Sequence, residues 1–407
     1  MNRRSFLKLM VLATAVQPWK HDEPAPGPFQ QDAHVKEGVM EKVFLAAVNR
    51  GSSEQEIRRA VRASAEAATD FSWLSRGDSV FIKPALNSGY PYPATTSPVA
   101  IGEMVALLRD KGAGRVVVGD MSGIEHLKLS PNGISGSTQK LMERCGMAKA
   151  AQDAGAELHF FEKAGWEAFY EDLPISGSHW NNGLMMPLIL KEMDHIVLMP
   201  RCGRHALAGS TLGLKAAVGY WRTDTRLEYH KYAATFHEKT AEGNTVSTLL
   251  NKQRLVVSAA DKILATYGPD KGYVIEPKTG LVITSQSVVA HDMVSLAWLI
   301  LGRSETPTRE RNAFNDPNAS QAIASPANRY VVGMLGGIGQ AIGAEKLIRY
   351  DLNEISDDRT LNRAYQLFGG RPGVDIEAAN ELLPADLKKR LTEMTTFKPE
   401  GPSSAAV

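Results

Sequence analysis

MPRCGRHALAGSTLGLKAAVGYWRTDTRLEYH, residues 199–230, is the stretch around which the rest of the chain is read. It follows Ile196-Val197-Leu198, an apolar run that reads as a strand. Gly203, Gly209, Gly213 and Gly219 punctuate it, and glycine lets backbone approach a ligand closely. A strand, a glycine-rich turn and a helix start present free backbone N–H groups to an anion. Lys215 falls near the start of that helix, where a cation does nothing for the helix dipole. Arg201, Arg204, His205 and His230 add two cations and two imidazoles. A connection between core elements does not need this much polar chemistry.

Upstream, Val43–Val48 reads as a first strand, and Ser52 or Ser53 caps a helix with Glu56 in the capping-box position. Ser79–Ile82 is a second strand and runs into Lys83-Pro84-Ala85-Leu86-Asn87. Ser97-Pro98 starts a second helix, and Arg115–Val118 is a third strand that leads to Gly119-Asp120. Downstream, Leu255–Ser258 and Leu281–Thr284 are strands, and Val288–Leu301 is an apolar helix opening near His291-Asp292. Strand and helix alternate, so the expected fold is α/β, a mostly parallel sheet with flanking helices. Residues 39–304 form that core, and 305–407 read as a helical C-terminal extension. In such folds ligands bind outside the carboxyl ends of the strands. Lys83, Asn87, Asp120, Ser122 and His126 fall there. A lysine between a buried strand and a rigid proline is costly unless paired or open to a cleft, which places Lys83 near Asp120.

The chain has 407 residues, with 46 Lys+Arg against 45 Asp+Glu. This balance, and the lack of a basic stripe interleaved with aromatics, argue against a nucleic-acid partner. Cys145 and Cys202 are too few for a four-cysteine iron–sulfur or zinc site. No Walker A, strand-linked GxGxxG, HExxH or GxSxG pattern is present. Residues 1–38 read as a twin-arginine signal peptide and linker: Asn2-Arg3-Arg4-Ser5-Phe6-Leu7-Lys8 precedes a short apolar run, Leu9–Val16, and then a Pro- and Gln-containing segment. The apolar run is too short to span a membrane. The expectation is export by the twin-arginine machinery to the periplasm or beyond.

Five segments, in order, resemble the domain of unknown function 362 family. They are Ile82-Lys83-Pro84, Thr95-Thr96-Ser97-Pro98, Val117-Val118-Gly119-Asp120, Met199-Pro200 through Lys215, and Gly268-Pro269 before Val289-Ala290-His291-Asp292. Ala85 and Ser287 depart from the family pattern, and the cysteine-rich ferredoxin module of many members has no counterpart here. The resemblance implies a fold rather than a reaction. His205, Gly209, Thr211, Gly213 and Lys215, followed by His230, are also similar to the central segment of the nickel-pincer lactate racemase family. That similarity implies histidines for catalysis or metal binding, and a lysine that holds the cofactor.

The candidate roles follow. His205, His230, Lys83 and Asp120 are the catalytic candidates, with His205 and His230 also the candidate ligands of a transition metal. Lys215, Gly209, Thr211 and Gly213 are the candidate cofactor-binding residues. Arg201, Arg204 and Asn87 would bind an anionic substrate group. Two function classes fit: an enzyme acting on a small carboxylate or hydroxy acid, through a metal or organometallic group or without one, and an exported protein that captures an anionic molecule or a metal without turnover. A retained scaffold with a degenerate site is the third.

Overall fold

Alternating strands and helices build one eight-stranded sheet, seen in a computed structural model that describes residues 37–310 and 321–396. In chain order its strands are β1 (Glu37–Asn49), β2 (Ser79–Pro84), β3 (Arg115–Asp120), β4 (Glu157–Phe160), β5 (His195–Met199), β6 (Gln253–Ala260), β7 (Thr279–Ser285) and β8 (Arg371–Ala378). Their spatial order is β8-β1-β7-β6-β5-β2-β3-β4. β7 runs antiparallel to both neighbours, and every other adjacent pair is parallel. The helices used below are α1 (Glu54–Ala68), α2 (Pro98–Asp110), the short α3 (Gly213–Ala216), α4 (Thr223–Lys231), α5 (Val288–Ser304) and α6 (Gln321–Gly336).

Burial explains the composition of the central strands. β2, β3 and β5 are Val-, Ile- and Leu-rich runs, buried along nearly their whole length. Strands covered on both faces show such runs instead of alternation. Val61, Ile101 and Val105 of α1 and α2 pack on one face against Val80 and Ile82. On the other, Val289, Met293 and Leu296 of α5 pack against Val256 and Ile283. α1 starts at Ser53 with Glu56 closing the capping box, and α2 starts at Ser97 with Pro98 in its first turn. Thr96 ties two strand ends together: its hydroxyl accepts from Ala85 N at 2.8 Å and donates to Met199 O at 2.6 Å.

The extension departs from the helical expectation. Residues 371–378 are β8, which pairs in parallel with β1 from Met40↔Gly373 to Leu45↔Ala378. Val374 and Ile376 stand two apart, the strand period, and Pro372 is tolerated because β8 is the sheet edge. α6 stops where Gly337 takes φ 83°, a left-handed conformation that glycine adopts without strain. The twin-arginine motif lies outside the described residues. No helix among the described residues is long and apolar enough to cross a membrane.

The strand order decides where a ligand can sit. From β2 the chain steps through β3 to β4 on one side, and from β5 through β6 to β7 on the other. β2 and β5 therefore meet at a topological switch point, and loops leaving their carboxyl ends diverge to leave a crevice.

Candidate active site

A cavity of about 230 Å³ lies at that crevice. Lys83 at the carboxyl end of β2 and Asn87 just beyond it reach it, as do Asp120 at the end of β3 and His126 beyond it, Arg201 and His205 after β5, and Tyr267 and Asp270 after β6. Thr211, Lys215, Arg226 and His230 line it as well. α6 adds Ala327, Tyr330 and Val331, which no motif in the sequence marks.

Lys83 and Asp120 form an ion pair of 2.8 Å, with both side chains almost fully buried. Lys83 Nζ also donates to Pro84 O at 2.7 Å, and Asp120 accepts from Leu86 N at 2.9 Å and Met121 N at 2.8 Å. Burial lowers the Lys83 ammonium and raises the Asp120 carboxyl, while their mutual attraction opposes both shifts. A β-carbon on Gly219 would collide with Lys83 Nζ and Asp120 Oδ1, so the backbone there approaches the pair as only glycine allows.

The 199–230 stretch folds into a hairpin and two short helices. Gly203–His205 pairs with Gly209–Thr211, and Gly209 takes φ 77° where the turn rejoins the second strand. Alternation along a strand puts His205 and Thr211 on the cavity face and Arg204 on the other. Arg204 is accordingly buried but absent from the cavity wall, which corrects the expectation that it meets substrate there. The free N–H groups expected at the start of α3 are already satisfied. Asp292 of α5 accepts from Gly213 N and Leu214 N, each at 2.7 Å. The anion at this helix start is the protein's own carboxylate, and a β-carbon on Gly213 would press into it. Gly209 and Gly213 thus shape the turn and the helix start and do not line the cavity. His291 Nδ1 lies 2.8 Å from Asp292 and its Nε2 lies 3.0 Å from Ser258 Oγ, so the His291-Asp292 pair is internal.

The two cavity imidazoles are held in opposite ways. His205 Nδ1 accepts from Leu207 N at 3.2 Å and Ala208 N at 3.3 Å, so the neutral ring carries its proton on Nε2. His230 Nδ1 faces Asn328 Oδ1 at 2.7 Å, so this ring carries its proton on Nδ1 and leaves Nε2 bare. Burial is the largest influence on both rings and holds both neutral at ordinary pH. Lys215 and Arg201 push His205 further down, and Lys215 and Arg226 act likewise on His230, which titrates at about 3.

Cations dominate the wall around them. Lys215 has no acidic partner among the described residues; burial first, then Arg201 and Arg226, bring its amine down to about 7. Arg201 donates to Ala94 O and Pro269 O. Arg226 donates to Ser122 O and Met121 O, both at 2.7 Å, and to Gly219 O. Among the described residues, Nε of each guanidinium is buried without a hydrogen-bond partner. Asn87 lines the cavity, but its amide donates to Asp270.

As metal ligands, His205 and His230 are not a matched pair. His230 Nε2 offers a lone pair; His205 Nε2 carries a proton unless both bonds to its Nδ1 are given up. No third imidazole, thiol or carboxylate completes a set with them among the described residues. Glu125, His126 and Asp270 do bring ligand atoms within 4.8 Å of one another at the cavity edge. There His126 and Asp270 form an ion pair of 3.6 Å that holds the imidazole above its ordinary range. Cys145 and Cys202 are free and buried. Of the lining residues missed from sequence, Arg226 had a signal, since it precedes His230 by one helical turn on the same face. Asp270 and the α6 residues carried none.

Residues 80–297 match the model of the family described as Domain of unknown function (DUF362). No curated protein matches the chain. Among solved structures, the lactate racemase apoprotein from Thermoanaerobacterium thermosaccharolyticum is similar at 15% identity and a TM-score of 0.36, over 54% of this chain and 50% of that one. A protein from Thermotoga maritima is similar at 11% identity and a TM-score of 0.38, over 63% of this chain and 60% of that one. The chain thus spans half to three fifths of the length of these two.

Proposed function

The chain belongs to the Domain of unknown function (DUF362) family, and from that premise we propose that it is an exported enzyme that binds a small carboxylate or hydroxy acid and moves a proton on it. One observation carries the reading: two neutral imidazoles of opposite tautomer open into one buried, cation-rich cavity. His230 Nε2 takes the proton, and His205 Nε2–H donates a hydrogen bond to a substrate oxygen. Arg201 and Lys215 receive the carboxylate. An anion placed beside Lys215 and Arg226 cancels their push on His230 and raises its pKa toward the range of a working base.

The donor set favours proton transfer over metal ligation, because His205 does not present a bare nitrogen. Lys215 is the amine that would hold an anionic or electrophilic cofactor group. Intact mass of the native protein, with and without Lys215→Met, reports such a group. Export rests on the Asn2–Lys8 motif, and fractionation of cells with and without an Arg3→Lys, Arg4→Lys change tests it.

The test is incubation with small carboxylates, with and without a 2-hydroxyl, followed by NMR of the recovered compounds. One class should change chemically or stereochemically. His230→Gln should abolish the change with binding kept, and Arg201→Met should weaken binding. If the bound compound returns unchanged, and Arg201→Met harms binding while His230→Gln and His205→Gln are both silent, the chain is a binding protein and the enzyme reading is wrong.

A further inference from the structure

We infer that Asn328, on α6 outside the segment that matches the family model, is the positioning residue that fixes the tautomer of His230 and so makes the C-terminal extension part of the site. The inference rests on the proposed role of His230 as the base.

The geometry leaves little freedom. Asn328 is fully buried, and its Nδ2 donates to the backbone carbonyl of His230 at 2.7 Å. That carbonyl lies in the last turn of α4, where no intrahelical N–H remains for it. With Nδ2 committed, the atom facing His230 Nδ1 at 2.7 Å is Oδ1, an acceptor. A neutral imidazole has one proton to place, and Oδ1 calls it to Nδ1. The lone pair is then on Nε2, the nitrogen that remains for the cavity. A side chain 98 residues away thus sets the direction in which His230 accepts a proton.

The groups facing His230 make the neutral ring the one to be directed. Lys215 of α3 and Arg226 of its own helix repel a proton, His205 across the cavity stays neutral, and Tyr330 of α6 brings a phenol to the wall. Tyr229 and Phe236 enclose the ring, with centroids at 5.0 and 5.4 Å. Among the described residues, the one contact that raises its pKa is the hydrogen bond with Asn328.

The test is ¹⁵N NMR of histidine-labelled protein without substrate, with His230 assigned from a His230→Gln sample. In the parent protein, Nδ1 should be the protonated nitrogen and Nε2 the bare one. Asn328→Asp keeps the shape and the acceptor but supplies a negative charge, so the His230 titration should rise by roughly one to three pH units. Asn328→Ala should give a mixture of tautomers. A parent His230 protonated on Nε2 overturns the inference and needs no variant to show it. A folded Asn328→Asp protein with an unmoved titration also overturns it. Because no substrate is present, failure here is separate from failure of the enzyme reading; if turnover exists, Asn328→Asp should move the acid limb of its pH profile upward and leave KM unchanged.

Discussion

Lys215→Met should stabilise the protein. The lysine sits half-buried on the cavity wall with Arg201 and Arg226 as electrostatic neighbours, and no carboxylate pairs with it among the described residues. Its amine titrates at about 7 in the folded protein instead of near 10.5, so keeping it charged at neutral pH costs the folded state about 4 kcal/mol, and about 2–4 kcal/mol once its partial exposure is allowed for. The sign follows from the lowered pKa. The contribution to stability is fully present above pH 10.5 and is lost as pH falls toward 7. Methionine has a similar volume and no charge, so the stability difference between variant and parent should be near zero at pH 10.5 and reach this range at pH 7. Urea unfolding at pH 7, 9 and 10.5 reads it directly. A variant less stable than the parent at pH 7, or a difference that does not change with pH, would refute the reasoning, because either result means that the amine is already neutralised by a partner. A half-buried lysine kept at this cost on the cavity wall is what the proposed anion-binding role calls for.

Asp292→Asn should lower stability by about 2–4 kcal/mol, since a buried carboxyl group that accepts from two backbone N–H groups is replaced by an amide that brings donors of its own. An unchanged urea midpoint would show that the start of α3 is satisfied in another way. His230 titrates at about 3 when folded, against an ordinary value of 6.5, so its contribution to stability is present above pH 6.5 and is lost as pH falls toward 3. His230→Gln should therefore make the loss shallower by up to about 1.4 kcal/mol per pH unit across that window, and equal slopes would exclude a neutral His230. Gly219→Ala should separate Lys83 from Asp120 and destabilise the protein by about 3–5 kcal/mol, as breaking a buried ion pair does; a cost below about 1 kcal/mol would mean that the backbone shifts to make room.

Local pattern made part of this legible. Strand–helix alternation put Lys83, Asn87 and Asp120 at the carboxyl ends of strands. The rule that a lysine before a rigid proline needs a partner brought Lys83 to Asp120, where the structure has it. His205, Lys215 and His230 were gathered by their closeness in sequence, and the cavity does bring them together. The failures share a cause, which is partners distant in the chain. Gly213 N finds Asp292 79 residues on, so a helix start that reads as an open anion site is closed. β8 pairs with β1 across most of the chain, and its Pro372-Gly373 hid the strand period. Arg204 was misplaced because the hairpin that sends it and His205 to opposite faces is three residues long on each side, too short to declare itself by alternation.

Calorimetry of carboxylate binding at pH 7, in two buffers of different ionisation enthalpy, tests the central claim most directly: the cavity is built to receive an anion beside Lys215. An amine that titrates at about 7 is half protonated there, and a bound anion draws on the rest, so binding should take up about half a proton. Lys215→Met should bind without that uptake. Binding with no proton uptake in the parent protein, or uptake that survives Lys215→Met, would contradict it.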